Sequence, residues 1–343
     1  MKKMHIGLAD KLLIIFKEKE GYSFSTHLTG KKINQLAFDP ENEKYIYAGT
    51  NDGLWQTKDG GTHWERIAKN LPTSITSIAI HPLKGKNMKH AIYVGTEPTQ
   101  LYYSFDRGQS WEEFKGIQDL PSKSTWRFPP RPETHYARWI TPSYHDANQL
   151  ALSIEAGAVI STNDQGENWQ DRSDISPIDV HTLLAHPQKL NRLYAANGDG
   201  SSSVRKAYAE SEDWGKTWTF KSEGLKDHPY LYHLILNSQD PEERLVSASK
   251  NASAAHRSPR YSTIYRKRGE EEWTEMKDGL PRKGAYTHHL AEDPDNPGAY
   301  YALNNYGIYY LSSKENQWEQ LSIDEKEMGF NKLDYYFPCR KII

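Results

Sequence analysis

Four copies of one short motif dictate what this chain can fold into. Thr57 to Trp64, Ser104 to Trp111, Thr162 to Trp169 and Ser211 to Trp218 all read Ser/Thr-x-Asp-x-Gly-x-x-Trp. Their fixed positions are Asp59, Gly61 and Trp64; Asp106, Gly108 and Trp111; Asp164, Gly166 and Trp169; and Asp213, Gly215 and Trp218. Two degenerate copies end in Trp273 and Trp318. Each position has a mechanical reason. A hydroxyl and a carboxylate two residues apart can bond the backbone of a tight turn. Glycine takes the positive φ that such a turn needs, and the tryptophan plugs an apolar pocket where the next strand begins.

The flanks repeat with the motif. An apolar strand, a turn and a Tyr-rich strand precede each copy, as in Gln35–Pro40 with Tyr45–Thr50, and Ser77–Pro82 with Ile92–Thr96. Thr182–Pro187 with Leu193–Ala196, and His289–Pro294 with Tyr300–Leu303, follow the same plan. Each unit therefore holds four short strands, a to d, with the motif at the c–d turn. Four-stranded units at a period of about 50 residues specify an all-β chain, a single β-propeller of four-stranded blades. Six units span approximately 32–74, 75–136, 137–179, 180–229, 230–284 and 285–329. Residues 1–31 read as strands b, c and d without a strand a, which Phe330–Phe337 within 330–343 could supply. That closure gives seven blades and removes open sheet edges; without it there are six.

Composition agrees with many small cores. Only 36% of residues are hydrophobic and mean hydropathy is −0.84, low for one large core. The net charge of −2 provides no basic footprint for nucleic acid. A single cysteine, Cys339, excludes a disulfide framework and a cysteine-based zinc site. The apolar run Leu12–Phe16 is shorter than a secretory core of about 7–15 residues, and no run reaches the roughly 18 of a membrane span. A cytoplasmic protein with no membrane segment and no cofactor is the expectation.

The motif resembles the Asp-box (BNR) repeat of the sialidase/sortilin-like superfamily, and the resemblance runs along essentially the whole chain. That superfamily includes sialidases, xyloglucan-degrading glycoside hydrolases, the sortilin receptor domain and a photosystem assembly factor. The resemblance implies a propeller whose boxes lie away from the ligand face. Sialidases carry an Arg-Ile-Pro motif near the N-terminus and a Tyr–Glu nucleophile pair. No Arg-Ile-Pro occurs here, and the first 60 residues contain no arginine, which argues against sialidase chemistry.

Function is then sought where the repeat is broken. Strand alternation puts the d–a and b–c loops on one face, and three of them are enlarged: 126–139, 198–208 and 251–261. The proline-rich first loop carries Arg127, Arg131 and His135 and leads into Arg138. The second carries Arg205, and the third His256, Arg257 and Arg260. Aligning the a strands places Asn34, Thr76, Arg138, His181, Tyr232 and His288 at one position before the shared strand core. Arginines in this number suit a carboxylate or phosphate, because their planar fork bonds such groups bidentately. Glu155, in the b–c loop of the third unit, is the candidate general acid or base, and equally a salt-bridge partner for Arg138. The histidines lie on different blades without short ligand spacing, so no metal is assigned.

Two functions fit. One is a glycoside hydrolase-like protein taking an anionic or sugar-derived small molecule. The other is a non-catalytic binding or assembly propeller for a protein partner.

Overall fold

The computed structural model describes residues 3–81 and 91–323. The chain is an all-β, seven-bladed propeller of mostly four-stranded antiparallel sheets. It divides into two compact units. One comprises Lys31–Ala195 with Ala209–Thr219, and the rest of the described chain makes the other.

In the Lys31–Ala195 unit, one sheet orders Ile33–Phe38, Ile46–Thr50, Gly53–Thr57 and Glu65–Ile67. The next orders Ile75–Ile80, Ile92–Thr96, Leu101–Ser104 and Glu112–Glu113. The third has Ala137–Pro142, Leu150–Ile154 and Ala158–Thr162, with the fourth strand reduced to a bridge between Ser161 and Gln170. The other unit contains Tyr230–Asn237, Asp240–Ser249, Thr263–Arg268 and Thr274–Glu275 as one sheet. A second is His289–Glu292, Tyr300–Asn304, Gly307–Leu311 and Glu319–Gln320. The last a strand thus starts four residues later than the expected Ala285. Lys3–Gly7, Leu12–Lys17 and Tyr22–His27 form a three-stranded sheet. The expected strand Phe330–Phe337 lies outside the described residues. The remaining sheet, Val180–His186, Lys189–Asn197, Tyr208–Ser211 and Thr219–Phe220, is divided between the units.

Strands such as Leu12–Lys17 and Ala158–Thr162 are buried on both faces, which explains their unbroken apolar runs. Each core is local to neighbouring sheets. Leu13 and Ile15 pack with Tyr301, Leu303 and Ile308, and Tyr47 and Leu54 pack with Ile78, Ile92 and Val94. Small cores of this kind need few apolar residues.

The four boxes close alike. Thr57, Ser104, Thr162 and Ser211 each donate from the hydroxyl to Oδ1 of the aspartate two residues on, at 2.7–2.8 Å. The same hydroxyls accept from the backbone N–H of Gly61, Gly108, Gly166 and Gly215. The left-handed region holds two residues per box, not the glycine alone: Gly60, Arg107, Gln165 and Trp214 precede it there. Trp64, Trp111 and Trp218 donate from Nε1 to the carbonyl of their own box glycine at 2.9–3.1 Å.

Candidate functional site

The a strands share a second device that positions side chains. Register slips at the same place in successive sheets: between Ile33 and Gln35, Ile75 and Ser77, and Ala137 and Trp139. The skipped residues are Asn34, Thr76 and Arg138. A fourth slip, between Leu231 and Leu234, takes in Tyr232 and His233. A bulge leaves one residue out of the ladder and re-aims its side chain. Asn34 Nδ2 donates to the Ile75 carbonyl at 2.7 Å, and Thr76 Oγ1 to that of Ala137 at 2.7 Å. Arg138 Nε donates to the His181 carbonyl at 3.1 Å.

Around Arg138 the structure assembles four charged groups within one unit. Arg138 Nε lies 3.2 Å from Glu155 Oε2. His181 Nε2 lies 3.5 Å from Glu155 Oε1 and 3.6 Å from Asp179 Oδ1. Exposure rises from 1% at the His181 side chain to 10% at Glu155 and 26% at Asp179, so the cluster opens on the Asp179 side. Burial penalises an imidazolium at His181, but Asp179 and Glu155 outweigh it and push its pKa up to about 9. Arg138 and His181 thus meet Glu155 and Asp179 in one ion-pair cluster.

Asp179 was not among the residues singled out from sequence. Its one sequence signal is its place two residues before His181, just ahead of the strand Val180–His186, and nothing there ties it to Glu155.

The other expected residues are placed differently. Arg131 forks onto Glu97 at 2.6 and 3.0 Å and lies over the Phe128 ring, so its guanidinium braces its own loop. His135 Nδ1 accepts from Thr99 N–H at 3.3 Å, and its ring stands edge-on to Trp126. Arg127 is exposed.

Arg205, Tyr232, His256, Arg257, Arg260 and His288 belong to the second unit. There the Tyr230 hydroxyl meets His256 Nε2 at 3.2 Å, and the Tyr232 ring stands edge-on to His256 and His289. Arg260 covers the Tyr286 ring at 3.9 Å. Arg205 and Arg257 are exposed. His288 is fully buried against the Ser262 hydroxyl at 2.9 Å, and burial pulls its pKa down to about 3. It is a neutral interior residue and offers no cation to a ligand. The 198–208 and 251–261 loops contain short helical turns at Gly198–Ser201, Val204–Lys206 and Ala252–His256.

This architecture defines an Asp-box propeller. The chain is related to photosystem II assembly lipoprotein Ycf48 and to the GH74 xyloglucanases. It is 28% identical to Ycf48 of Synechococcus sp. (strain CC9902) over 126 residues, 36% of this chain and 31% of that protein. It is 30% identical to a xyloglucanase of Hypocrea jecorina (strain QM6a) over 91 residues, 26% of this chain and 11% of that protein. The matched stretches thus span about a third or less of these relatives. Among solved structures, YCF48 bound to D1 peptide aligns with TM-score 0.59 at 19% identity, covering 84% of this chain and 81% of that one. The Niastella koreensis GH74 enzyme aligns with TM-score 0.61 at 15% identity, covering 84% and 46%. No protein-family model matches the chain.

Proposed function

We propose that this chain is a binding propeller of the sialidase/sortilin-like superfamily, without catalysis, whose loops take up an acidic segment of a protein partner. The observation that carries the reading is the ion pairing of the carboxylates. Glycoside hydrolysis needs one carboxyl group protonated as acid while the other stays ionised. Here His181 lies between Glu155 and Asp179, with Arg138 beside the far oxygen of Glu155, so neither carboxylate stands in the apolar setting that keeps a catalytic acid protonated. The loops of the second unit supply the opposite chemistry: Arg205, Lys206, Lys250 and Arg257 stand there with Asp199 as the one carboxylate in 198–208 and 249–262. The relative YCF48, seen with a D1 peptide, supports a peptide partner.

The competing reading is a hydrolase of sugar-derived ligands, as in the xyloglucanase relatives. It draws on the closeness of Glu155 and Asp179, whose oxygens approach within 4.8 Å. Two measurements separate the readings. Acidic fluorescent peptides should bind with an affinity that falls steeply with salt and drops at least about tenfold in the Arg205→Glu/Arg257→Glu variant. Release of reducing ends from xyloglucan, lost in Glu155→Gln, would instead establish the hydrolase.

A further inference from the structure

The geometry points to a binding site for one divalent metal ion of the zinc class, held by Glu155, Asp179 and His181. The inference concerns these three side chains and stands apart from the acidic partner proposed above.

It starts from spacing. Nε2 of His181 stands 3.5 Å from Glu155 Oε1 and 3.6 Å from Asp179 Oδ1, so one nitrogen faces two carboxylate oxygens at once. Its single hydrogen can point at only one of them. Zinc binds imidazole nitrogen and carboxylate oxygen at about 2.0–2.2 Å in tetrahedral sites, and the edge of such a tetrahedron is about 3.4 Å. The two separations are therefore those of donors sharing a central ion. The third pair of donor atoms lies within 4.8 Å.

The surroundings suit an ion as well. Arg138 Nε, whose hydrogen goes to the His181 carbonyl, lies 3.2 Å from Glu155 Oε2 and so leaves Oε1 as the ligand atom. The Ala156 N–H donates to Asp179 Oδ1 at 3.3 Å. Three protein ligands leave a fourth position, and the exposure gradient puts it on the Asp179 side. Water, hydroxide or an anionic group of a ligand would fill that open position. Local sequence spacing hides this set, because its members come from a b–c loop and from the start of the next a strand.

Full-length protein stripped with a chelator and dialysed should be titrated with Zn2+ against a chromophoric chelator, and with Co2+ followed by visible absorption. One equivalent should bind at submicromolar Kd, and cobalt should show four-coordinate bands. Asp179→Asn should weaken zinc by at least about tenfold, and His181→Gln should abolish the cobalt bands. Asp179 is the most exposed of the three ligands, so that variant tests the site even if His181→Gln does not fold. Absence of a bound equivalent in the parent protein overturns the proposal. So does zinc binding that Asp179→Asn leaves unchanged, since exposed histidines such as His63 beside Asp59 would then be the ligands.

Discussion

The hydroxyl of Thr76 donates to the carbonyl of Ala137 across 2.7 Å, joining the a strands of consecutive sheets through a residue that pairs with neither. Both groups are buried, so Thr76→Val leaves a carbonyl without its partner. The expected loss is about 1–3 kcal/mol, read as a lower denaturant midpoint at unchanged m-value, with Thr76→Ser close to the parent.

Box tryptophans should differ in worth according to burial. Trp218 is 6% exposed and Trp64 is half-buried, although both donate to their own glycine carbonyl. Trp218→Ala should cost about 3–5 kcal/mol, the range for emptying a core aromatic site. Trp64→Ala should cost clearly less in the same unfolding assay.

Acid should unfold the protein through two identifiable groups. Hydrogen bonds from the Ser110 hydroxyl and N–H hold the Asp106 carboxyl down at about 2. Its folded pKa is below the unfolded value near 3.9, so its contribution is full above that value and fades as pH falls toward 2. Buried His288 stays neutral down to about 3, whereas the unfolded imidazole takes a proton near 6.5. Stability therefore declines as pH drops through 6.5 and continues to decline toward 3. In His288→Gln the slope of unfolding free energy between pH 6.5 and pH 4 should flatten; an unchanged slope would exclude His288 as its source.

Glu155→Gln should expose the cost of the charge cluster. It removes the carboxylate that faces Arg138 and leaves His181 with Asp179, and breaking one side of a buried ion network costs about 3–5 kcal/mol. The His181 pKa should fall as well, because one of the two anions that raise it is gone. The first effect is measured by calorimetry and the second by titration of its imidazole resonances.

How far the sequence disclosed this molecule depends on the range of the interactions involved. The boxes were legible because each closes on itself: Ser104, Asp106 and Gly108 bond within five residues, so the pattern lies in one window. The a-strand starts at Ile33, Ile75, Ala137, Val180 and Tyr230 followed from apolar runs of the same kind. Partnerships across long separations were not legible. Nothing near Arg131 announces that its fork belongs to Glu97, 34 residues away. Nothing near His288 announces Ser262, and Asp179 reads as an ordinary loop aspartate until the fold places it beside Glu155.

The slipped register at Asn34, Thr76 and Arg138 has a consequence for redesign. An amide, a hydroxyl and a guanidinium occupy the same backbone niche, and the ladders on either side run on undisturbed. The niche acts as a socket for any side chain that can donate a hydrogen bond to the next a strand, as these three do. New chemistry could be installed there one sheet at a time, with the scaffold carrying each exchange as it already carries three.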